Sequence, residues 1–234
     1  MLLYLSLYDW IALFWFFLCW VGYATFAKVR GKHIPTLSSN LSDIRKDWMR
    51  QMLKRDVRIA DTTSLGILQR NVTFFASTTI FILAGLLTVL GATDQAIGLI
   101  SNMPLVSEHS AIAWETKLML LIYVFVYAFF KFTWSVRKYN FSIMMFGAAP
   151  SPDTDDEEKE RFIFNADKLL TTASNSFAFG LRAYSFALTI LAWFIHPLLF
   201  MLACVWVIAV LYRREFHSRS LAALSSINQK KELP

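Results

Sequence analysis

Hydrophobic positions along the chain gather into four long runs separated by polar stretches. The first, residues 10–27, holds 18 residues without a charged side chain, long enough to cross the hydrocarbon core of a bilayer. The second (about 72–92) and third (about 116–136) are of similar length, with Lys131 interrupting the third near its end. The fourth, about 183–212, has 30 residues. As one helix it would measure roughly 45 Å against a core of about 30 Å. His196-Pro197 sits in its middle, and an internal proline removes a hydrogen bond and kinks or breaks a helix. This run is either one long kinked helix or a hairpin of two short ones.

Two polar connectors, 28–70 and 137–182, carry a helical pattern of their own. Asn40 and Asp43 fit an N-cap and its acidic partner, so a helix is expected from Leu41 to about Gln69. Its apolar stripe is Ile44, Trp48, Met52 and Ile59, widened by Met49 and Leu53. Arg50, Lys54 and Arg58 form a basic row on its other face. A like-charge row of this kind is unfavourable alone and calls for water, anionic lipid or an acidic partner. In the second connector, Ser151-Pro152 or Thr154 with Glu157 would start a helix over about 155–178, with Phe162, Ala166, Leu169, Ala173 and Phe177 on one face. Residues 93–116, with Gly98, Asn102 and Pro104, read as a loop or short helices. Ala84, Thr88 and Ala92 place small residues at four-residue spacing, which suits close helix packing within the chain or a seam between copies; the first is the expectation.

Composition strengthens the membrane reading. Apolar residues make up 56% of the 234 and charged residues 17%, against roughly 25% charged in soluble domains. Lys and Arg number zero in residues 1–27, ten in 28–70, zero in 93–116, six in 137–182 and five in 213–234. That alternation predicts an external N-terminus and cytoplasmic connectors. The tail disagrees if the fourth run crosses once. A break at His196-Pro197 would keep the tail inside, although each half has few apolar residues for a span. Residues 1–27 lack the positive start of a secretory signal, so the first run is expected to persist as a helix. The net charge of +6 flanks apolar runs and comes with no recognition-helix pattern, which argues against nucleic acid. The expected class is an all-α integral membrane helical bundle of four hydrophobic segments, the last broken at His196-Pro197, with cytosolic amphipathic helices and 1–234 as a single membrane domain. The expected location is the inner cell membrane.

Four stretches carry a family resemblance: RKDWMRQMLKRDVRIADTTSLG (45–66), TFFASTTIFILAGLLTVLGA (73–92), FKFTWSVRKYNFSIMMFGAAP (130–150) and FGLRAYSFALTILAWFIHPLLF (179–200). Together they resemble an uncharacterised multi-pass membrane-protein family of bacteria and plants, domain of unknown function 599. The resemblance implies a multi-pass membrane protein and brings no activity, ligand or catalytic residue.

The candidate chemistry is sparse. Tyr123, Tyr127 and Lys131 form a polar line on the third segment that would suit an anion or a proton relay; lysine snorkelling toward the headgroups is the simpler account. Trp134, Arg137 and Asn140 form an aromatic and basic interface anchor that would also suit a phosphate or headgroup. His196 beside Pro197 marks a helix break and could titrate near neutrality, though packing is the simpler role. Arg50, Lys54 and Arg58 are the candidate contact for lipid or for an acidic partner, including the six acids within 153–160. Cys19 and Cys204 lie in apolar runs and the four histidines are isolated, so no metal or cofactor is called for. There is no GxSxG, HExxH or P-loop pattern. Three readings follow: a non-catalytic component that binds lipid or another membrane protein, which leads; a small oligomeric channel or transporter with Lys131 near the path; and an embedded enzyme built from scattered residues. The bilayer itself, anionic headgroups, a second copy and a membrane-protein partner are the partners this admits.

Overall fold

The computed structural model describes residues 6–30, 37–93, 95, 111–217 and 223–224. The loop signals at Gly98, Asn102 and Pro104, and the tail residues Arg219, Lys230 and Lys231, lie outside the described residues. Six helices follow one another among the described residues: α1 (Leu7–Arg30), α2 (Leu37–Leu53), α3 (Ile59–Gly91), α4 (Ala111–Gly147), α5 (Asp156–Trp193) and α6 (Pro197–Phe216). All but α2 are long and apolar enough to cross a membrane, which makes this an all-α, multi-pass membrane protein. With 33, 37 and 38 residues, α3, α4 and α5 measure roughly 50–57 Å, well beyond a hydrocarbon core of about 30 Å.

Local chemistry explains the helix ends. Asp9 lies inside α1 and closes a capping box with Ser6: the Ser6 amide donates to Asp9 Oδ2 (3.2 Å) and the Asp9 amide to Ser6 Oγ (3.3 Å). The expected break of the fourth hydrophobic run is present, between Trp193 and Pro197. Pro197 takes the first position of α6, where its missing N–H costs nothing. The side chain of His196 caps that helix, Nδ1 accepting from the Leu198 amide at 3.1 Å.

Several expectations are corrected. The helix from Leu41 to Gln69 is two helices, because the chain leaves α2 after Leu53 and restarts at Ile59. Arg58 is pulled out of any helical row, donating to the backbone oxygens of Ala149 (2.9 Å) and Pro150 (2.6 Å), so Arg50, Lys54 and Arg58 do not share a helix face. Ile59 leaves the apolar stripe and is exposed, while Met49, Met52 and Leu53 are buried. Asn40 is buried within α2 rather than capping it, and Asp43 pairs forward with Lys46 (3.7 Å). The helix over 155–178 and the start of the fourth run are one helix, α5, begun by Asp155, whose Oδ2 accepts the Glu157 amide (3.2 Å). No proline interrupts it before Trp193, and a glycine such as Gly180 costs a helix only about 1 kcal/mol. Finally, Ala84 and Thr88 are exposed on α3, with the Thr88 hydroxyl bonded back to the Ala84 carbonyl (3.0 Å), so that line does not pack inside the chain.

The contacts divide the chain into two units. The first comprises Met1–His33, Ser77–Phe129 and Gly180–Tyr212. It holds nine charged residues, against 31 in the remainder of the chain, as a lipid-embedded core requires. Its interior is aromatic: Phe16 stacks on Phe200 (5.5 Å) and meets Phe186 edge-on (5.9 Å), and Phe200 stacks on Trp193 (5.0 Å). Fully buried Ala12, Ala128 and Ala183 leave room for these rings. The second unit comprises Ile34–Ala76, Phe130–Phe179 and Arg213–Pro234. There Trp48 of α2 packs on Phe146 (5.5 Å), and Phe162, Ala166 and Ala173 of α5 are buried as their stripe predicts.

Candidate functional site

Each residue singled out from the sequence has a defined place. Tyr123 is exposed, at 57% of its surface. Tyr127 packs edge-on against Trp20 at 5.2 Å. The Lys131 ammonium lies 5.5 Å from the centre of the Phe179 ring. Arg137 lies over the rings of Trp134 (5.9 Å) and Phe141 (5.5 Å), with Asn140 exposed beside them. Arg50 meets Glu160 through two hydrogen bonds (3.0 and 3.2 Å), and that carboxylate holds the Arg50 guanidinium above its ordinary value. Lys54 is exposed at the turn after α2.

The charges taken deepest into the protein are others. In the first unit Asp9 is fully buried and accepts a 2.6 Å hydrogen bond from the indole N–H of Trp193. Lys117, only 2% exposed, has its ammonium 5.6 Å from the face of the same ring. An anion and a cation thus meet one indole, at its N–H edge and its π face, and join α1, α4 and α5. In the second unit Trp48 Nε1 also donates to a buried carboxylate, Asp61 (2.6 Å), which here takes its cation directly, from Arg55 (3.1 Å). Beside it Asp167 accepts from Ser42 Oγ (2.6 Å) and Arg45 Nε (3.0 Å), while Arg45 reaches Thr171 Oγ1 (2.6 Å). Among the described residues, no buried side-chain nitrogen or oxygen lacks a hydrogen-bond partner, and no group of three metal-ligating side chains occurs. These networks tie helices together.

Among the described residues of the first unit, a groove of about 540 Å³ lies between α1 and α6. Trp15, Leu18, Cys19, Gly22, Tyr23 and Phe26 line it from α1, at helical spacing. Val205, Ile208, Ala209 and Tyr212 line it from α6. None of these residues is Asp, Glu, Lys or Arg. Gly22 and Ala209 make the groove deep, and a Cβ at Gly22 would meet nothing within 4 Å. From Trp15 to Phe26 the α1 wall rises roughly 16 Å, about half the hydrocarbon core. Cations sit on its rings at the Tyr23 end. Arg30, the last residue of α1, lies over Phe26 (5.6 Å) and Tyr212 (6.0 Å), and Arg182 lies over Tyr23 (5.6 Å).

Linear reasoning missed Asp9, Lys117 and the groove. Asp9 carried a signal in the Ser6-x-x-Asp9 capping pattern. Lys117 carried one as the lone basic residue between Arg70 and Lys131. The groove had none, because it exists only where α1 meets α6.

Fold and site together define an all-α, multi-pass membrane protein with an apolar groove between two of its helices. The chain belongs to the family described as protein of unknown function, DUF599, whose model matches residues 11–220. Neither the curated proteins nor the solved structures offer a match.

Proposed function

We propose that this protein is a non-catalytic membrane component that binds a bilayer lipid in the α1–α6 groove. The observation that carries the reading is the groove itself, lined by ten apolar or aromatic residues and roughly as deep as one leaflet. A lipid chain fills such a space without removing any polar group from water. The basic connector, the site suggested by sequence, supports this less well, because Arg45, Arg50, Arg55 and Arg58 all bind within the chain.

Orientation belongs to the same proposal. Five crossings with an external N-terminus put residues 28–70, 137–155 and the tail on one side, together with the clusters of Lys and Arg. The break before Pro197 thus supports a cytoplasmic tail and an inner-membrane protein with its connectors inside.

Thermal unfolding in mild detergent with rising lipid tests the binding. A ligand at 100 times its Kd stabilises by about 2.7 kcal/mol, or roughly 5–11 °C in Tm for a chain of this size. Gly22→Leu fills open space, so this variant is expected to fold, to melt close to the parent without lipid and to show no rise with it. An equal rise in both proteins would end the proposal.

A further inference from the structure

We infer that Cys19 and Cys204 form a thiol pair that a bilayer-soluble oxidant converts into a disulfide, stapling α1 to α6 along the inner edge of the groove. The inference does not depend on what the groove binds. The two cysteines are far apart in the chain, and the fold brings them to one level. Phe16 stacks on Phe200 (5.5 Å) and, farther along, Phe26 meets Tyr212 (6.3 Å), so α1 and α6 run side by side in the same direction between these contacts. Cys19 follows Phe16 by three residues and Cys204 follows Phe200 by four, which sets their heights within about 2 Å of each other. Both are free thiols and both are buried. Cys19 stands on the α1 wall of the groove. Cys204 precedes the groove residue Val205 and donates its S–H to Thr189 Oγ1 of α5 (3.5 Å), a weak bond that a rotation of the side chain gives up. The two thiols are close enough to act on one another electrostatically. Packed helices with axes about 8–10 Å apart can bring facing Cα atoms into the range of about 4.4–6.8 Å that a disulfide spans. Burial keeps water-borne oxidants from both sulfurs, whereas the apolar groove opens Cys19 to lipid, so the oxidant class that fits is a quinone dissolved in the bilayer. In the step both S–H bonds break and one S–S bond forms. The quinone takes the two hydrogens with their electrons and leaves as a hydroquinone.

Thiol counting on the full chain decides it. The protein in mild detergent is treated with tetramethylbenzoquinone, whose fully substituted ring resists thiol addition, or with copper–phenanthroline in air. It is then denatured, alkylated with N-ethylmaleimide and weighed intact. The parent is expected to pass from two alkylated thiols to none while staying a monomer, and a reductant should restore both. Cys19→Ala and Cys204→Ala should each keep the one remaining thiol alkylatable after either treatment. Gly22→Leu fills the groove beside Cys19 and should slow the quinone reaction several-fold. A parent that keeps both thiols under both reagents, or a disulfide found only between copies, overturns the pair. Crosslinking by copper–phenanthroline but not by the quinone overturns the oxidant class. An unchanged quinone rate in Gly22→Leu overturns the groove as its route.

Discussion

Replacing Asp167 by alanine is the most informative stability perturbation outside the groove. Its carboxylate accepts from Ser42 Oγ (2.6 Å) and from Arg45 Nε (3.0 Å), and the two charged side chains are only 10% and 16% exposed. Asp167→Ala leaves the Arg45 guanidinium with Thr171 but without its counter-ion. Breaking one side of a buried pair costs about 3–5 kcal/mol. A domain of 150–250 residues loses roughly 2–4 °C of Tm per kcal/mol, so the melt should fall by roughly 6–20 °C. Asp167→Asn, which keeps an acceptor and loses the charge, should fall about half as far. Removing the pair together, in Arg45→Met with Asp167→Leu, should recover most of the loss, because the buried charge and its desolvation disappear at once. Far-ultraviolet circular dichroism in mild detergent reads all of these. A drop of less than about 3 °C in Asp167→Ala, or a double variant no better than the single one, would refute the argument that this pair holds α2 to α5.

Other substitutions grade the same logic. Trp193→Phe keeps the ring between Lys117 and Phe200 but removes the N–H given to Asp9, so about 1.5–3 kcal/mol of stability should go, read as a Tm drop of several degrees. His196→Ala removes the cap of α6 and should cost about 0.5–2 kcal/mol, with His196→Asn recovering most of it in the same melts. Glu160→Gln breaks an ion pair in which both side chains are about half exposed, so it should cost less than about 1 kcal/mol, and the cost should vanish in high salt.

The membrane class was legible because a bilayer demands long apolar runs, and the runs are continuous in the chain. The break at His196-Pro197 was legible because proline carries it locally. What hid was continuity. The fourth run is too short for two spans only if the helix over about 155–178 is separate; α5 joins that helix to the run, with α6 adding a further 20 residues. The break at 54–58 was invisible for the opposite reason. Lys54, Arg55 and Asp56 suit a helix well enough, and the chain turns there because Arg55 and Arg58 find Asp61, Ala149 and Pro150. The place of Asp9 was hidden because it depends on Trp193, 184 residues away. The groove could not be read from either wall alone, since Gly22 and Ala209 become a space only across from each other.

The most direct measurement of the central claim is a map of where a lipid chain touches the protein. A phospholipid with a photoreactive group along its acyl chain, activated in liposomes, should label peptides from residues 15–26 and 205–212 above the lipid-facing background on α3, and Gly22→Leu should erase that excess. Labelling spread evenly over α1, α3 and α6, unchanged in Gly22→Leu, would contradict the account.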